Sequence, residues 1–310
     1  MRDRFNLYFG LFALIGLITL IFSPINLSFN EKIISFAYWL RLVGCWFLYL
    51  IVKTRKNLNI VKYLGWIGVI LAIIGWGQYF FYPDLRPLEY LGWDPHYKRI
   101  FGVFLDPNFM GIMLVLTLII WGLNKSSPIV WLVRFFLLLT LAFTYSRSSF
   151  LALAGATAYY AIIKKKFWLI GVIGVIGVIG VIGLPRPGGE GVKLERTASI
   201  KARVVNWQEG FELFRRYPLG VGYDTLRYAR NQPAENHAGA GWDNSFLVII
   251  TTTGVVGLIF YLKFLQKLWQ QSTWLVRLSW LAIIIHAQFT NSLFFPWVMM
   301  WGWVIVGLDN

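Results

Sequence analysis

The sequence predicts an all-α, polytopic membrane bundle of about ten spans with one large external loop. Three observations predict it. Of 310 residues, 57% are hydrophobic and only 14% charged, and the mean hydropathy is +0.60, whereas a soluble domain carries about 25% charged residues. Apolar runs recur along the chain, and about 18 such residues suffice to cross a hydrocarbon layer of about 30 Å. Aromatic residues make up 18%, including 16 Trp, as expected where Trp and Tyr anchor helices at the membrane interface.

The predicted spans, in order, are Phe5–Phe22, Ile33–Val52, Tyr63–Tyr82, Phe104–Leu123, Ile129–Phe143, Ser149–Ile163, Phe167–Leu184, Asn244–Leu262, Val276–Phe289 and Leu293–Leu308. The first follows a basic start, Met-Arg-Asp-Arg, but is too long for a signal-peptide core and lacks a small-x-small cleavage site, so it reads as an uncleaved helix. The seventh is the repeat IGVIGVIGVIGVIGL, whose glycines predict close helix approach. The organisation is then residues 1–184 as seven spans, 185–243 as the large loop and 244–310 as three spans.

Orientation follows from basic residues in short loops. Lys53, Arg55, Lys56 and Lys62 follow span two, Lys125 span four, Lys164–Lys166 span six, and Lys263, Lys267 and Arg277 span eight. With alternating spans these share one side with Arg2 and Arg4, and that side is cytoplasmic. Both termini are expected inside, with 83–103 and 185–243 external. The formal net charge of +15 is then a topology signal rather than a sign of nucleic-acid binding. The lone Cys45 excludes an intrachain disulfide.

The large loop carries nine basic residues in 59: Arg186, Lys193, Arg196, Lys201, Arg203, Arg215, Arg216, Arg227 and Arg230. A basic outer surface beside a membrane attracts anions; a loop merely placed beside anionic lipid is the plainer alternative. Ile200, Val204, Trp207, Phe211 and Phe214 recur at helical spacing and predict an amphipathic helix that lies on the membrane or caps the bundle. Pro218 and Gly220-x-Gly222 end it.

No HExxH, CxxC, Asp-x-Asp pair or Walker loop is present, and there are three His, at 96, 237 and 286. Neither a metal nor a nucleotide cofactor is expected. Arg147, in Thr144-Tyr-Ser-Arg-Ser-Ser, sits in a tight turn between apolar spans. Either it snorkels to the interface or it binds an anionic group there, for which the guanidinium fork is suited. Arg41 and Arg134 lie inside spans, near neither loop, and carry no assignment.

Four ordered blocks resemble the O-antigen ligase and O-antigen polymerase superfamily of bacterial envelope glycosyltransferases. They are Arg99-Ile-Phe-Gly-Val-Phe-Leu-Asp-Pro-Asn108; Thr144-Tyr-Ser-Arg147-Ser-Ser; Arg203-x-x-x-Trp207 with Pro218-x-Gly220-x-Gly222; and Asp243-Asn-Ser-Phe-Leu247 with Thr253-Gly-Val-Val-Gly257. The resemblance implies a GT-C-like enzyme of the inner membrane. It would move a glycan from a polyprenyl-diphosphate carrier to a hydroxyl of a lipid or polysaccharide, without metal. Arg99, Arg147, Arg196 and Arg203 would hold the diphosphate. Many family members have a catalytic His where this chain has Asp243, and His237 lies six residues upstream. His237 is therefore expected as the base, with Asp243 orienting it or replacing it; an ordinary loop His and an N-capping Asp are the plainer alternatives. A transporter or flippase of an anionic lipid-linked glycan or small anion is the alternative function, disfavoured because no internal repeat is evident.

Overall fold

A computed structural model describes residues 4–54, 59–125, 127–232 and 241–308. Arg2, Arg55 and Lys56 of the basic clusters, and His237, lie outside them. The chain is 75% helical, with no strand among the described residues. Each predicted span coincides with a helix. Arg4–Ile21 (α1), Phe29–Thr54 (α2), Ile60–Phe81 (α3) and Ser245–Gln271 (α10) have the length and composition to cross a membrane. Pro107–Leu123 (α4), Pro128–Ala142 (α5), Trp274–His286 (α11) and Pro296–Gly307 (α12) are shorter and apolar. Arg147–Ile163 (α6) and Trp168–Gly183 (α7) complete the ten, and Ala198–Arg216 (α8) and Leu226–Ala229 (α9) belong to the large loop. Helix starts follow local chemistry: Asp106, Ser127, Ser146 and Asn244 each accept a backbone N–H of the first turn, and Pro follows the cap in α4 and α5.

The chain divides into two compact units. One comprises residues 55–198 and 274–286. Within it α4 is its most enclosed helix, buried from Met110 to Trp121, and packs with α3, α5, α6 and α11. The other comprises residues 1–54, 199–273 and 287–310. There α1 packs along α10, and α12 along α2. Phe9 is the hub: its ring lies 4.6 Å from that of Trp303 and 5.1 Å from that of Phe264. Edge-on aromatic packing of this kind needs no hydrophobic drive, which is weak between helices in lipid.

Within that second unit α10 is broken. Gly254 has φ 67° and ψ −172°, and the backbone there leaves the helical ladder. Residues 218–222 repair it. Val221 N–H donates to Thr251 O at 2.9 Å, Gly222 N–H to Thr252 O at 3.0 Å, and Val255 N–H to Pro218 O at 3.2 Å. Residues 218–222 thus lie along the break like a strand and supply the partners that unwound backbone needs.

One expectation is corrected, and another is refined. A Cβ added at Gly171, Gly174, Gly177 or Gly180 would meet nothing within 4 Å, so these glycines are not where α7 approaches its neighbour α6. In α8 the predicted stripe forms on a helix, as expected, and its residues divide between core and surface. Ile200, Val204 and Phe211 are about half exposed, while Trp207 and Leu213 pack into a core with Val221, Trp242 and Leu247, and Gly210 sits close against Leu247. The large Trp and the absent Cβ decide which side docks. Ile200, Val204 and Phe211 remain as an exposed apolar strip.

Candidate functional site

Three of the predicted arginines meet within the unit of residues 55–198 and 274–286. Arg99 is 3% exposed. Its Nε donates to Thr144 O at 2.9 Å and its NH2 to Tyr145 O at 3.4 Å. Arg196 donates to the same Tyr145 carbonyl at 3.4 Å, and to Gly191 O and Lys193 O at 2.8 Å each. Arg147 opens α6 and donates to Arg196 O at 2.9 Å and Leu194 O at 3.2 Å. The turn Thr144–Ser146, with Tyr145 at φ 50°, is the shared anchor.

The serines of that turn fix it. Ser146 Oγ lies 3.0 Å from Asn108 Oδ1 and 2.8 Å from Ser149 Oγ. His286, fully buried on α11, lies 3.1 Å through Nε2 from both Ser148 Oγ and Ser149 Oγ. Thr144-Tyr-Ser-Arg-Ser-Ser is therefore a bolt joining α6 to α4 and α11, and it holds the Arg147 backbone rigidly. Arg147 is also a cation on the first turn of a helix, where the macrodipole is already positive. That placement costs energy unless an anion offsets it.

Asp94, His96 and Asp106, not singled out from the sequence, stand around Arg99. Burial, opposed by Arg99, raises the Asp94 carboxyl. Burial foremost pushes the Asp106 carboxyl up to about 6. Burial, then Arg196, brings Arg99 down to about 9; its neighbours Asp106 and Asp94 only partly offset this. Three guanidiniums against two carboxylates leave a positive excess. Burial, followed by Arg99 and Arg196, holds His96 well below its ordinary value, so it is neutral. Arg99 NH1 lies 3.3 Å from His96 Nδ1. Arginine can only donate, so the ring proton sits on Nε2, which is buried without a partner.

Ligand atoms of Asp94, His96 and Asp106 lie within 4.8 Å of one another, a spacing that suits a cation. The surrounding charge does not. The tautomer set by Arg99 keeps a proton on the free ring nitrogen, and the arginines repel a cation. The same features suit an anion: three guanidiniums and one unused N–H donor.

The remaining predicted residues lie in the other unit. Arg203 Nε donates to Phe289 O at 3.2 Å, and its guanidinium lies 5.8 Å from the Phe289 ring centre. Asp243 is exposed, and its N–H donates to Asn206 Oδ1 at 2.9 Å. It does not cap α10; Asn244 does, accepting from Phe246 N and Leu247 N. The structure does not place His237.

Of the two unassigned arginines within predicted spans, Arg41 differs from expectation and Arg134 does not. Arg134 caps the C-terminus of α4, donating to the carbonyls of Trp121, Gly122 and Asn124. Arg41 does lie near the large loop, because residues 218–224 fold back onto α2: Ser35 Oγ, on the same helix, donates to Asp224 O at 3.3 Å. Arg41 exerts charge on the Asp224 carboxyl. Spacing could not reveal this, since the contact needs the loop to pair with the break in α10.

With this geometry in view, residues 132–262 match the family model described as O-antigen ligase. The match supports membership of the O-antigen ligase family. It spans under half of the chain, from α5 into α10, and contains Arg147, Arg196, Arg203, the paired 218–222 segment and Gly254. Arg99 and its block precede it. No curated protein matches the chain. The apolar helices and the O-antigen ligase match point to a bacterial inner-membrane protein of polysaccharide biosynthesis.

Proposed function

We propose that the protein is a metal-independent membrane glycosyltransferase of O-antigen ligase type that uses a polyprenyl-diphosphate glycan as donor. The cluster of Arg99, Arg147 and Arg196, with excess positive charge and the unused His96 N–H, carries this reading. An acceptor hydroxyl oxygen attacks the anomeric carbon. The bond from that carbon to the diphosphate oxygen breaks, and the carrier diphosphate leaves with the electron pair. The arginines stabilise charge that grows on the leaving oxygens, which is where fixed donors help most. The acceptor's proton passes to a base in the segment before α10, where the sequence offers His237 and Asp243. Arg203 contributes to donor binding from the large loop.

The ten helices are taken as ten spans, GT-C-like in arrangement, with both termini cytoplasmic and 185–243 external. Fusions of a cytoplasm-active reporter should be silent at residue 190 and active at residue 308. Activity at 190 overturns the orientation.

The function is tested with purified protein in proteoliposomes, a labelled polyprenyl-diphosphate glycan and lipid or polysaccharide acceptors, in EDTA. Label should move to an acceptor with an equal yield of polyprenyl diphosphate. Transfer restored only by added divalent cation contradicts the metal-independent mechanism, and no transfer under any metal condition contradicts the enzyme.

A further inference from the structure

The unit of residues 55–198 and 274–286 holds a second polar place, at the end of α4 away from the arginines. α4 runs 17 residues from its cap Asp106, beside Arg99, to Leu123, or about 25 Å at about 1.5 Å per residue. Where it ends, α3 begins, and a cavity of about 490 Å³ opens between them. Such a volume is in the range of small-ligand sites. Its polar lining, Asn59, Lys62 and Asn124, is exposed; its apolar lining includes the buried Ile120 and Trp121 and the partly exposed Trp66. The apolar wall is fixed. Trp121 Nε1 donates to Gly65 O at 3.1 Å, and its ring stands edge-on to that of Trp66 at 5.4 Å. A Cβ at Gly65 would lie 3.1 Å from the Trp121 Nε1, so the close approach needs the glycine.

The charge at this end is of one sign. Lys62 lines the cavity, and Lys125 follows Asn124 in the chain. The carbonyls that end α4 would repel an anion, but Arg134 takes them up, donating to Trp121, Gly122 and Asn124 O. No Asp or Glu occurs in α3 to α7 or in α11, so no carboxylate of these helices neutralises the lysines. Lys62 also stands in the first turn of α3, which has no acidic residue and no side-chain cap from Asn59. A cation there opposes the helix dipole. An anion in the cavity offsets that charge and gives the free donors an acceptor.

We propose that this cavity holds the head group of an anionic phospholipid, with its phosphate against Lys62 and its glycerol and chains against Trp66. Basic pockets between spanning helices are suited to anionic head groups, and Trp is the usual anchor at the lipid boundary.

The apolar lining decides for a lipid over free phosphate. Trp66, Ile70 and Ile73 recur at helical spacing along α3 and are 41%, 53% and 58% exposed. An apolar track therefore leads away from the cavity along the helix. Acyl chains cover that track, whereas a free phosphate gains nothing from it. With α3 and α4 as spans, the lipid lies in the leaflet opposite to the arginine cluster. Its binding needs no transfer activity, so the site stands apart from the donor site.

The test titrates phosphatidylglycerol, then phosphatidylcholine, into delipidated full-length protein in detergent, followed by native mass spectrometry and thermal unfolding. Phosphatidylglycerol should bind saturably and raise the melting temperature; phosphatidylcholine should do neither. Lys62→Gln should raise the phosphatidylglycerol Kd about fivefold, and Trp66→Ala should raise it as well. Both side chains are exposed, so each variant is expected to fold. Lys165→Gln, in an exposed basic cluster outside the cavity, and Arg147→Gln, in the arginine cluster, should bind phosphatidylglycerol as the wild type does. Inorganic phosphate alone should leave the melting temperature unchanged. An unchanged Kd in either cavity variant, or equal binding of the two lipids, overturns the proposal. So does a loss in Lys165→Gln or Arg147→Gln as large as in Lys62→Gln, which means diffuse attraction or the other site. A rise in melting temperature with phosphate that Lys62→Gln removes marks a free-anion site and overturns the lipid.

Discussion

Arg147→Lys is expected to lower transfer by about 100-fold or more while leaving the protein folded. Removing one preorganised donor to a developing anion costs about 10²–10³ in rate, and lysine keeps the charge but not the planar fork. The local geometry makes this site demanding. Arg147 reaches Leu194 O and Arg196 O from a backbone bolted by Ser146, Ser149 and His286, so a shorter and differently shaped cation cannot shift to recover the contacts. Arg99→Lys should behave alike, because Arg99 holds Thr144 O and Tyr145 O and sets the His96 tautomer. The loss should fall on kcat more than on the donor KM if the contacts strengthen in the transition state. Steady-state rates alongside thermal unfolding of each variant check this; full turnover by both lysine variants removes the arginines from the mechanism.

Gly254→Ala is expected to be the most damaging single change to the fold. At φ 67° the added Cβ would lie 2.5 Å from the Leu219 carbonyl carbon, and the reciprocal Gly220→Ala would bring a Cβ within 2.4 Å of Thr252 O. Both neighbours are backbone, which cannot rotate away. A loss of about 3 kcal/mol or more, or failure to accumulate folded protein, follows from strain plus the broken pairing. Gly174→Ala in α7 is the control, since its Cβ would meet open space; there alanine should be neutral or slightly stabilising. Equal melting temperatures for Gly254→Ala and wild type would contradict the account of α10.

These two predictions mark where the sequence was legible. The ten helices were readable because lipid leaves an apolar segment one way to satisfy its backbone; their ends were less so, since apolar runs placed two starts at Ile129 and Ser149 where Ser127 and Ser146 cap helices that begin at Pro128 and Arg147. Arg99 and Arg147 were readable as candidates because each is charged beside an apolar span within a recognisable block, whereas Arg196 stood out only as one of the basic residues of the large loop. The convergence of Arg99 and Arg196 on the Tyr145 carbonyl was not legible, since it depends on a left-handed residue and on loop residues 191–196 returning to it. The place of Asp224 against α2 was hidden for the same reason: it follows only once residues 218–222 pair with a helix break that Gly254 permits but does not announce. The α8 stripe was legible as a helix but not for which of its residues dock, because apolar periodicity cannot tell an exposed side from a core-facing one. The choice between Asp243 and Asn244 as cap turned on a single residue, which is within the usual uncertainty of a helix end.

The central claim is that the arginine cluster binds the carrier diphosphate, and direct binding tests it without turnover. Polyprenyl diphosphate lacking any glycan is titrated into the protein in nanodiscs of zwitterionic lipid, followed by calorimetry at two salt concentrations. The account predicts saturable binding that weakens with salt, and a Kd raised about tenfold or more, or about 1.4 kcal/mol, in each of Arg99→Gln, Arg147→Gln and Arg196→Gln. An unchanged Kd in all three variants would contradict it.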